Sequence, residues 1–321
     1  MLLSVIVPCY NEEENVQLFY DTAVRDLASV IEDTELIFVN DGSKDKTLKN
    51  LKEIHKTSPY DVRVVSFSRN FGKEAALMAG LEHSRGDYVV IIDADLQQRP
   101  SYIMDMLHIL QDNPDYDAVA AYQEKRKESR LLTFFKDCFY GLINKLTDVE
   151  LKKSASDFRL LKRPVVDAIL ALPERCRFSK GIFSFVGFET YYMPYTVEER
   201  AHGTTKWSFW KLFAYAIDGI VAFSTKPLIA SSIIGFVLFC LSILLMLVIV
   251  IKTLIWGDPV AGFPTLASLL LLTAGVQLLC IGILGQYLAK NYTETKQRPM
   301  YIVKELLEKE TDNVSGNEKK L

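Results

Sequence analysis

The amino-acid sequence predicts an α/β protein: a Rossmann-like, mostly parallel sheet covered by helices, followed by interfacial amphipathic helices and a hairpin of two membrane-spanning helices. Two observations carry this. Over roughly the first 122 residues, short apolar runs alternate with amphipathic stretches, the pattern of a parallel sheet with helical crossovers. Further on, neither Leu228 to Ile251 nor Pro259 to Ala289 contains a charged residue, and a bilayer's hydrocarbon core takes about 20 apolar residues per helix. Buried core helices are the plainer alternative, but runs this long without a charge fit it poorly.

Strands are expected at Leu3 to Val7, Glu35 to Val39, Val62 to Phe67, Tyr88 to Ile92 and Asp117 to Ala121, where β-branched and aromatic residues cluster. Helices are expected between them at Glu13 to Val30, Thr47 to His55, Lys73 to His83 and Tyr102 to Gln111. Ligands of open α/β sheets bind beyond the carboxyl ends of the strands. The loops to watch are therefore Pro8 to Glu14, Asn40 to Asp45, Ser68 to Glu74 and Asp93 to Gln97.

After the sheet, residues 128–151 place Leu131, Phe135, Phe139 and Leu142 at helical spacing opposite Arg130, Lys136 and Lys145, an amphipathic helix. Residues 207–223 carry Trp207, Phe209, Trp210, Phe213 and Tyr215 just before the first apolar run. Aromatic residues there suit a bilayer interface, although either segment could simply pack on the sheet. The domain plan is an α/β domain with its juxtamembrane helices over 1–226, two spans at about 228–251 and 265–289 within 227–290, and a polar tail over 291–321.

The net charge of −3 gives no reason to expect a nucleic-acid partner. Cys9, Cys138, Cys176, Cys240 and Cys280 lie far apart, with no metal-ligand spacing, as small apolar residues of a reducing compartment do. The chain opens on a strand-like run without the basic and apolar regions of a signal peptide, so the N-terminal part is expected in the cytosol.

Asp93-Ala94-Asp95 follows an apolar strand directly, presenting two hard carboxylates at a strand end, as Mg²⁺ or Mn²⁺ bridging a diphosphate requires. Alone, such a pair is also what any loop would tolerate. Asn40-Asp41-Gly42-Ser43 puts another carboxylate at the end of a second strand, where it could bond a base or a ribose, or merely form an Asp-Gly turn. Pro8-Cys9-Tyr10-Asn11-Glu12-Glu13 and Arg69-Asn70-Phe71-Gly72-Lys73-Glu74 complete four polar clusters at four successive strand ends. There is no G-x-G-x-x-G after the first strand, which removes a dehydrogenase reading.

These four clusters, together with Asp157-Phe158-Arg159-Leu160-Leu161, Arg200-x-x-Gly203-x-x-Lys206-Trp207, the two apolar runs and Arg298-Pro299-Met300-Tyr301-Ile302-Val303, resemble inverting glycosyltransferases of family 2 with the GT-A fold. Within that family the resemblance is to polyprenyl-phosphate glycosyltransferases, the bactoprenol glucosyltransferase and dolichol-phosphate mannose synthase type, and it covers nearly the whole chain. It implies a nucleotide-sugar donor held by Pro8, Tyr10, Glu12, Asp41, Lys73, Asp93, Asp95 and Gln97. It also implies a divalent metal on Asp93 and Asp95, catalytic roles for Asp95 and Asp157, a lipid phosphate acceptor, and a homo-oligomer. Two departures stand out: Gln98-Arg99-Pro100 replaces an acidic residue and two prolines, and Asn40 stands where some relatives have aspartate.

A phosphate monoester acceptor has a second pKa of about 6 and is already nucleophilic near neutral pH. Asp157, at the position proposed as base in the family, could instead orient the acceptor, steady charge on the sugar, or cap a helix before Phe158. Arg126, Arg130, Arg200 and Lys206 are the expected cations for the acceptor phosphate, or a general attraction to anionic lipid. Glucose from UDP-glucose is the favoured donor, with N-acetylhexosamine, galactose and mannose as alternatives. A scaffold that lost activity would have no reason to keep Asp41, Asp93 and Asp95, and a processive synthase would need more spans than two. Lys226, Lys290, Lys296 and Arg298 outweigh Lys252 in the connector, which places catalytic domain and tail on the cytoplasmic side of the cell membrane.

Overall fold

The computed structural model describes residues 1–123, 141, 155–196, 220–256 and 262–309. They fall into two compact units, the first drawing on 1–123, 155–196 and 299–309 and the second on 220–256 and 262–298. The expected amphipathic segments at 128–151 and 207–223 lie almost wholly outside the described residues.

In the first unit, β1 (Leu3–Cys9), β2 (Thr34–Asn40), β3 (Asp61–Phe67) and β4 (Tyr88–Ile91) are parallel neighbours. They are joined through α1 (Val16–Asp26), α2 (Thr47–Thr57) and α3 (Lys73–His83). Then follow α4 (Tyr102–Asp112), β5 (Ala118–Gln123), β6 (Ala155–Lys162), α5 (Arg163–Leu170), α6 (Ser179–Phe185) and β7 (Thr190–Tyr195). Among the described residues the sheet has the order β7-β5-β6-β4-β1-β2-β3-β8, where β8 is Val303–Leu307. It is mixed but mostly parallel: β6 and β8 alone run against the others.

Every residue of β2 is buried, as are all but one of β1, because helices cover both faces. Leu3, Val5, Val7 and Cys9 share a core with Phe19, Leu51 and Met106 of α1, α2 and α4. The alternate residue Ile6 faces α3, which comes so close that a Cβ on Gly80 would lie 2.2 Å from the Ile6 side chain. The helices near β1 and β2 match their expected places, except that α1 is shorter than expected at both ends, stopping at Asp26 rather than Val30. α1 begins at Val16 rather than Glu13, because Glu13 is drawn into bonds with the β2 loop: its N–H donates to Asp45 and its carboxylate accepts from the Lys46 N–H.

The second unit contains α7 (Lys226–Trp256, 31 residues) and α8 (Phe263–Lys296, 34 residues). At about 1.5 Å per residue each exceeds the roughly 30 Å of a hydrocarbon core. Their large apolar side chains face outward, Phe236 67% and Leu278 69% exposed, the reverse of a buried core helix. By length and composition both are candidate membrane spans. The Tyr287 hydroxyl of α8 donates to the Ser224 carbonyl just before α7.

The stretch after residue 291 is more than a polar tail. β8 pairs antiparallel with β3, and the Ser68 N–H donates to the Ile302 carbonyl at 3.0 Å. Tyr301 stacks on Phe67 with centroids 4.7 Å apart, its hydroxyl donating to the Glu82 carboxylate of α3. Lys52 pairs with Glu305 at 2.6 Å, and Lys309 donates to the Ser58 carbonyl at 2.7 Å. Tyr301→Ala should therefore destabilise the sheet by about 1–2 kcal/mol. A shift of the thermal midpoint of the full-length chain checks this; an unshifted midpoint would mean that this ring does not bind β8 to the sheet.

Candidate active site

β1 lies between β2 and β4, so the chain's winding reverses at its edge with β4, the switch point where open α/β sheets form a ligand crevice. The pairing of β1 with β2 continues to Cys9 and Asn40, whereas that with β4 stops at Ile6 and Ile91. The last bond there runs from the Ile92 N–H to the Ile6 carbonyl at 3.0 Å. Backbone groups two residues on point the same way in a strand, so the missing N–H of Pro8 falls on the side where β4 has parted. A proline near a central strand's end thus leaves the crevice edge without an unpaired donor.

The loops beyond β1 and β2 are laced together. The Asn11 N–H donates to Ser43 Oγ at 3.0 Å and the Lys44 N–H to Asn11 Oδ1 at 2.9 Å. Asn11 itself adopts φ 54°, a left-handed conformation that asparagine tolerates better than most residues. The Glu12 N–H donates to Thr47 Oγ1 at 2.8 Å, and the Glu12 carboxylate accepts from Asn15 Nδ2 at 2.6 Å. Asp41, 4% exposed, accepts from the backbone N–H groups of Phe71 at 2.6 Å and Gly72 at 2.9 Å. Burial raises its pKa, and those two bonds and Arg69 work the other way. Next to it Gly42, at φ 60°, lies against the Arg69 backbone where a Cβ would clash at 2.2 Å. Asp41 therefore holds the β3–α3 loop.

Immediately after that loop comes Lys73. Its ammonium lies 2.8 and 3.0 Å from the two carboxylate oxygens of Asp93 and 3.0 Å from Asp157 Oδ2. The sheet register explains how residues 64 positions apart meet. β6 runs antiparallel to β4 with Ile91 opposite Arg159, and continuing that register by two residues sets Asp93 opposite Asp157. Because β6 is reversed, its beginning lies where the parallel strands end. Asp157 is thus a strand residue, and a helix-capping role is ruled out.

Burial alone would lower the Lys73 pKa, but Asp93 foremost and then Asp157 hold the ammonium well above the ordinary lysine value. Burial would likewise raise Asp157; Lys73, then Lys180 and Arg159, outweigh it and bring the carboxyl down to about 2. Lys180 comes from α6, whose first residue Ser179 donates both its N–H and its hydroxyl to Glu74. The Arg159 guanidinium lies over the Phe183 ring, also of α6, 4.2 Å from its centroid. Two residue pairs, Asp157 with Arg159 on β6 and Lys180 with Phe183 on α6, thus share one contact face.

Asp95 accepts from the Gln97 N–H at 3.2 Å, across Leu96 at φ 56°. Gln98, 7% exposed, accepts from the Asp93 N–H at 3.4 Å, so this departure from the family pattern supports the backbone of the Asp-x-Asp loop. No group of three His, Cys, Asp or Glu side chains arranged to hold a metal occurs among the described residues. Two carboxylates one residue apart fit a Mg²⁺ or Mn²⁺ that takes its other ligands from water and substrate phosphates, as Mg²⁺ commonly does.

The structure therefore gathers Pro8, Tyr10, Glu12, Asp41, Lys73, Asp93, Asp95, Gln97 and Asp157 at one edge of the sheet, while Arg126, Arg130, Arg200 and Lys206 lie outside the described residues. Glu74 and Arg159, though inside the motifs that carry the resemblance, had no role assigned, and Ser179 and Lys180 went unread as contributors. The signal for them was weak: Arg175-Cys176-Arg177-Phe178-Ser179-Lys180 is a basic run without a strand to place it.

An Asp-x-Asp loop at the switch point of a GT-A sheet, with a second acidic strand brought against it, is the architecture of a glycosyltransferase. The model of the family "Glycosyl transferase family 2" matches residues 4–170, more than half of the chain, and the chain belongs to that family. It is 42% identical over 304 residues to CsbB of Bacillus subtilis (strain 168), covering 95% of this chain and 92% of that protein. It is 41% identical over 305 residues to the bactoprenol glucosyl transferase of Shigella phage SfV, covering 95% and 98%. To the prophage bactoprenol glucosyl transferase homolog of Escherichia coli (strain K12) the identity is 39% over 305 residues, covering 95% and 99%.

The folded pKa of Asp157, about 2, lies below the unfolded value of about 3.9. A depressed carboxyl stabilises the fold above the unfolded pKa and loses that contribution as pH falls through the folded one. The stability advantage of the wild type over Asp157→Asn should therefore narrow by about 1 kcal/mol between pH 6 and pH 3. Urea unfolding followed by circular dichroism at both pH values reads it; a constant difference would refute the Lys73 pairing in solution.

Proposed function

We propose that this protein transfers a hexose, in the first place glucose from UDP-glucose, to the phosphate of a polyprenyl lipid such as undecaprenyl phosphate, with inversion at the anomeric carbon. The observation that carries this reading is the union in one chain of a family 2 catalytic sheet with two helices whose large apolar side chains face outward. An enzyme built this way is suited to an acceptor that never leaves the bilayer. Relatives at about 40% identity over nearly their whole length are named bactoprenol glucosyl transferases, which supports the same acceptor and sugar.

In this reading an acceptor phosphate oxygen attacks the anomeric carbon opposite the leaving group. The new bond joins sugar to lipid phosphate, the bond to the diphosphate breaks, and nucleoside diphosphate departs. The acceptor dianion needs no strong base, and a carboxyl held near pKa 2 would be a poor one. Asp157 then serves electrostatically, fixing Lys73 and facing the positive charge that grows on the sugar. Asp41 and the laced loops of β1 and β2 keep the donor crevice in one shape, with Pro8, Tyr10, Glu12 and Gln97 on its wall. Asp93 and Asp95 would hold Mg²⁺ or Mn²⁺, which offsets charge on the departing diphosphate. Arg126, Arg130, Arg200 and Lys206 are proposed for the acceptor phosphate. The hairpin leaves both of its flanks on the cytoplasmic face of the cell membrane, where the excess of Lys and Arg lies.

Purified protein given undecaprenyl phosphate and a panel of nucleotide sugars should form a lipid-linked product with UDP-glucose, and Asp95→Ala or excess chelator should reduce turnover at least about 100-fold. Product from UDP-N-acetylhexosamine, UDP-galactose or GDP-mannose in place of UDP-glucose would reassign the sugar; no lipid product from any donor would end the proposal. Arg200→Ala and Lys206→Ala should each raise the apparent KM for the lipid phosphate about tenfold or more and change that for the donor little. The reverse pattern would move these residues to the donor side.

A further inference from the structure

We infer that Lys73 is a resident counter-ion that a divalent cation must displace from Asp93, so that the protein's own ammonium and the metal compete for one carboxylate. This rests on the assignment of Asp93 and Asp95 as metal ligands. Both oxygens of Asp93 lie within 3.0 Å of the Lys73 ammonium, so an ion entering at either one meets a positive charge beside it. A divalent ion bonded to Asp93 at about 2.1 Å would face that ammonium across a distance where like charges repel strongly.

The geometry also gives the ammonium somewhere to go. Lys73 follows Gly72, whose N–H is fixed by Asp41 at 2.9 Å and whose φ is 102°, so the backbone under the side chain is anchored. The four-carbon stem is flexible. Asp157 Oδ2, 3.0 Å from the ammonium, keeps a partner for it when Asp93 is given up. Displacement is therefore a short swing from a shared position to a single carboxylate. With Lys73 in place the charge of Asp93 is already met, so that carboxylate attracts free metal weakly. A metal arriving with a diphosphate brings the anion that the released ammonium can take, so the two enter together.

The experiment is Mn²⁺ binding to the full-length, donor-free protein in detergent, read from the electron paramagnetic resonance signal of free Mn²⁺. Wild type, Lys73→Met, Lys73→Gln, Lys73→Arg and Asp95→Asn are compared, each checked for folding by circular dichroism. Lys73→Met should bind Mn²⁺ about tenfold more tightly than wild type, and Lys73→Arg, which keeps the charge, should not. Lys73→Gln gives the same reading should Lys73→Met fail to fold. Unchanged or weaker Mn²⁺ binding in the folded neutral variants, while Asp95→Asn lowers binding, overturns the inference and leaves the metal assignment standing. Mn²⁺ binding indifferent to Asp95→Asn overturns the metal assignment itself, and the inference with it.

Discussion

Everything at the working edge of this protein turns on one ammonium group lying between two carboxylates. Asp93 lies just beyond the end of β4, at the sheet's switch point, and Asp157 lies near the start of the reversed strand beside it. Two carboxylates converging in a partly buried place cannot both stay ionised without a cation. Lys73 supplies it, and reaches both because the β3–α3 loop is pinned by Asp41. The buried aspartate at the end of β2 thereby governs, at one remove, the charge state of the acidic pair.

The same logic extends outward through the loops. Asn11, Ser43, Asp45 and Thr47 tie the ends of β1 and β2 to each other through side chain to backbone bonds. Glu74 does so for α6 and with it Lys180. A crevice lined by polar loops would otherwise sample many shapes, and holding them in one reduces the ordering a ligand must impose. Much of what looks in the sequence like a set of ligand-binding residues is therefore, in the fold, the apparatus that holds the loops of the proposed site still.

How much of this was legible depended on whether the signal was local. β1 to β5, and helices α2 to α4, came within a few residues of their expected bounds because each carries its own apolar period. The strand-end position of Asp41 and Asp93 followed from that. β6 escaped because Arg159 interrupts its apolar run, and its partners β4 and β5 lie far back along the chain. The meeting of Asp93 with Asp157 is a fact of register, which no single segment encodes. β8 escaped for a different reason: Val303-Lys304-Glu305-Leu306-Leu307 is short and broken by two charges, as edge strands that resist aggregation often are. The family resemblance pointed to Asp157 where periodicity could not, yet it did not say that the residue lies on a strand. The four cations Arg126, Arg130, Arg200 and Lys206 rest on the sequence alone.

The late return of β8 sets an order on how this protein can be made. Val64 pairs with Leu307, so the ribosome must synthesise both long apolar helices before the outer edge of β3 finds its neighbour. During that interval the nascent N-terminal domain, which can otherwise fold as it emerges, carries a bare hydrogen-bonding edge of seven residues. The sheet is completed only by a chain that has already passed through α7 and α8. A polypeptide stalled or cut between them leaves β3 open to strands from other chains, which makes β8 a built-in mark that synthesis has passed both helices.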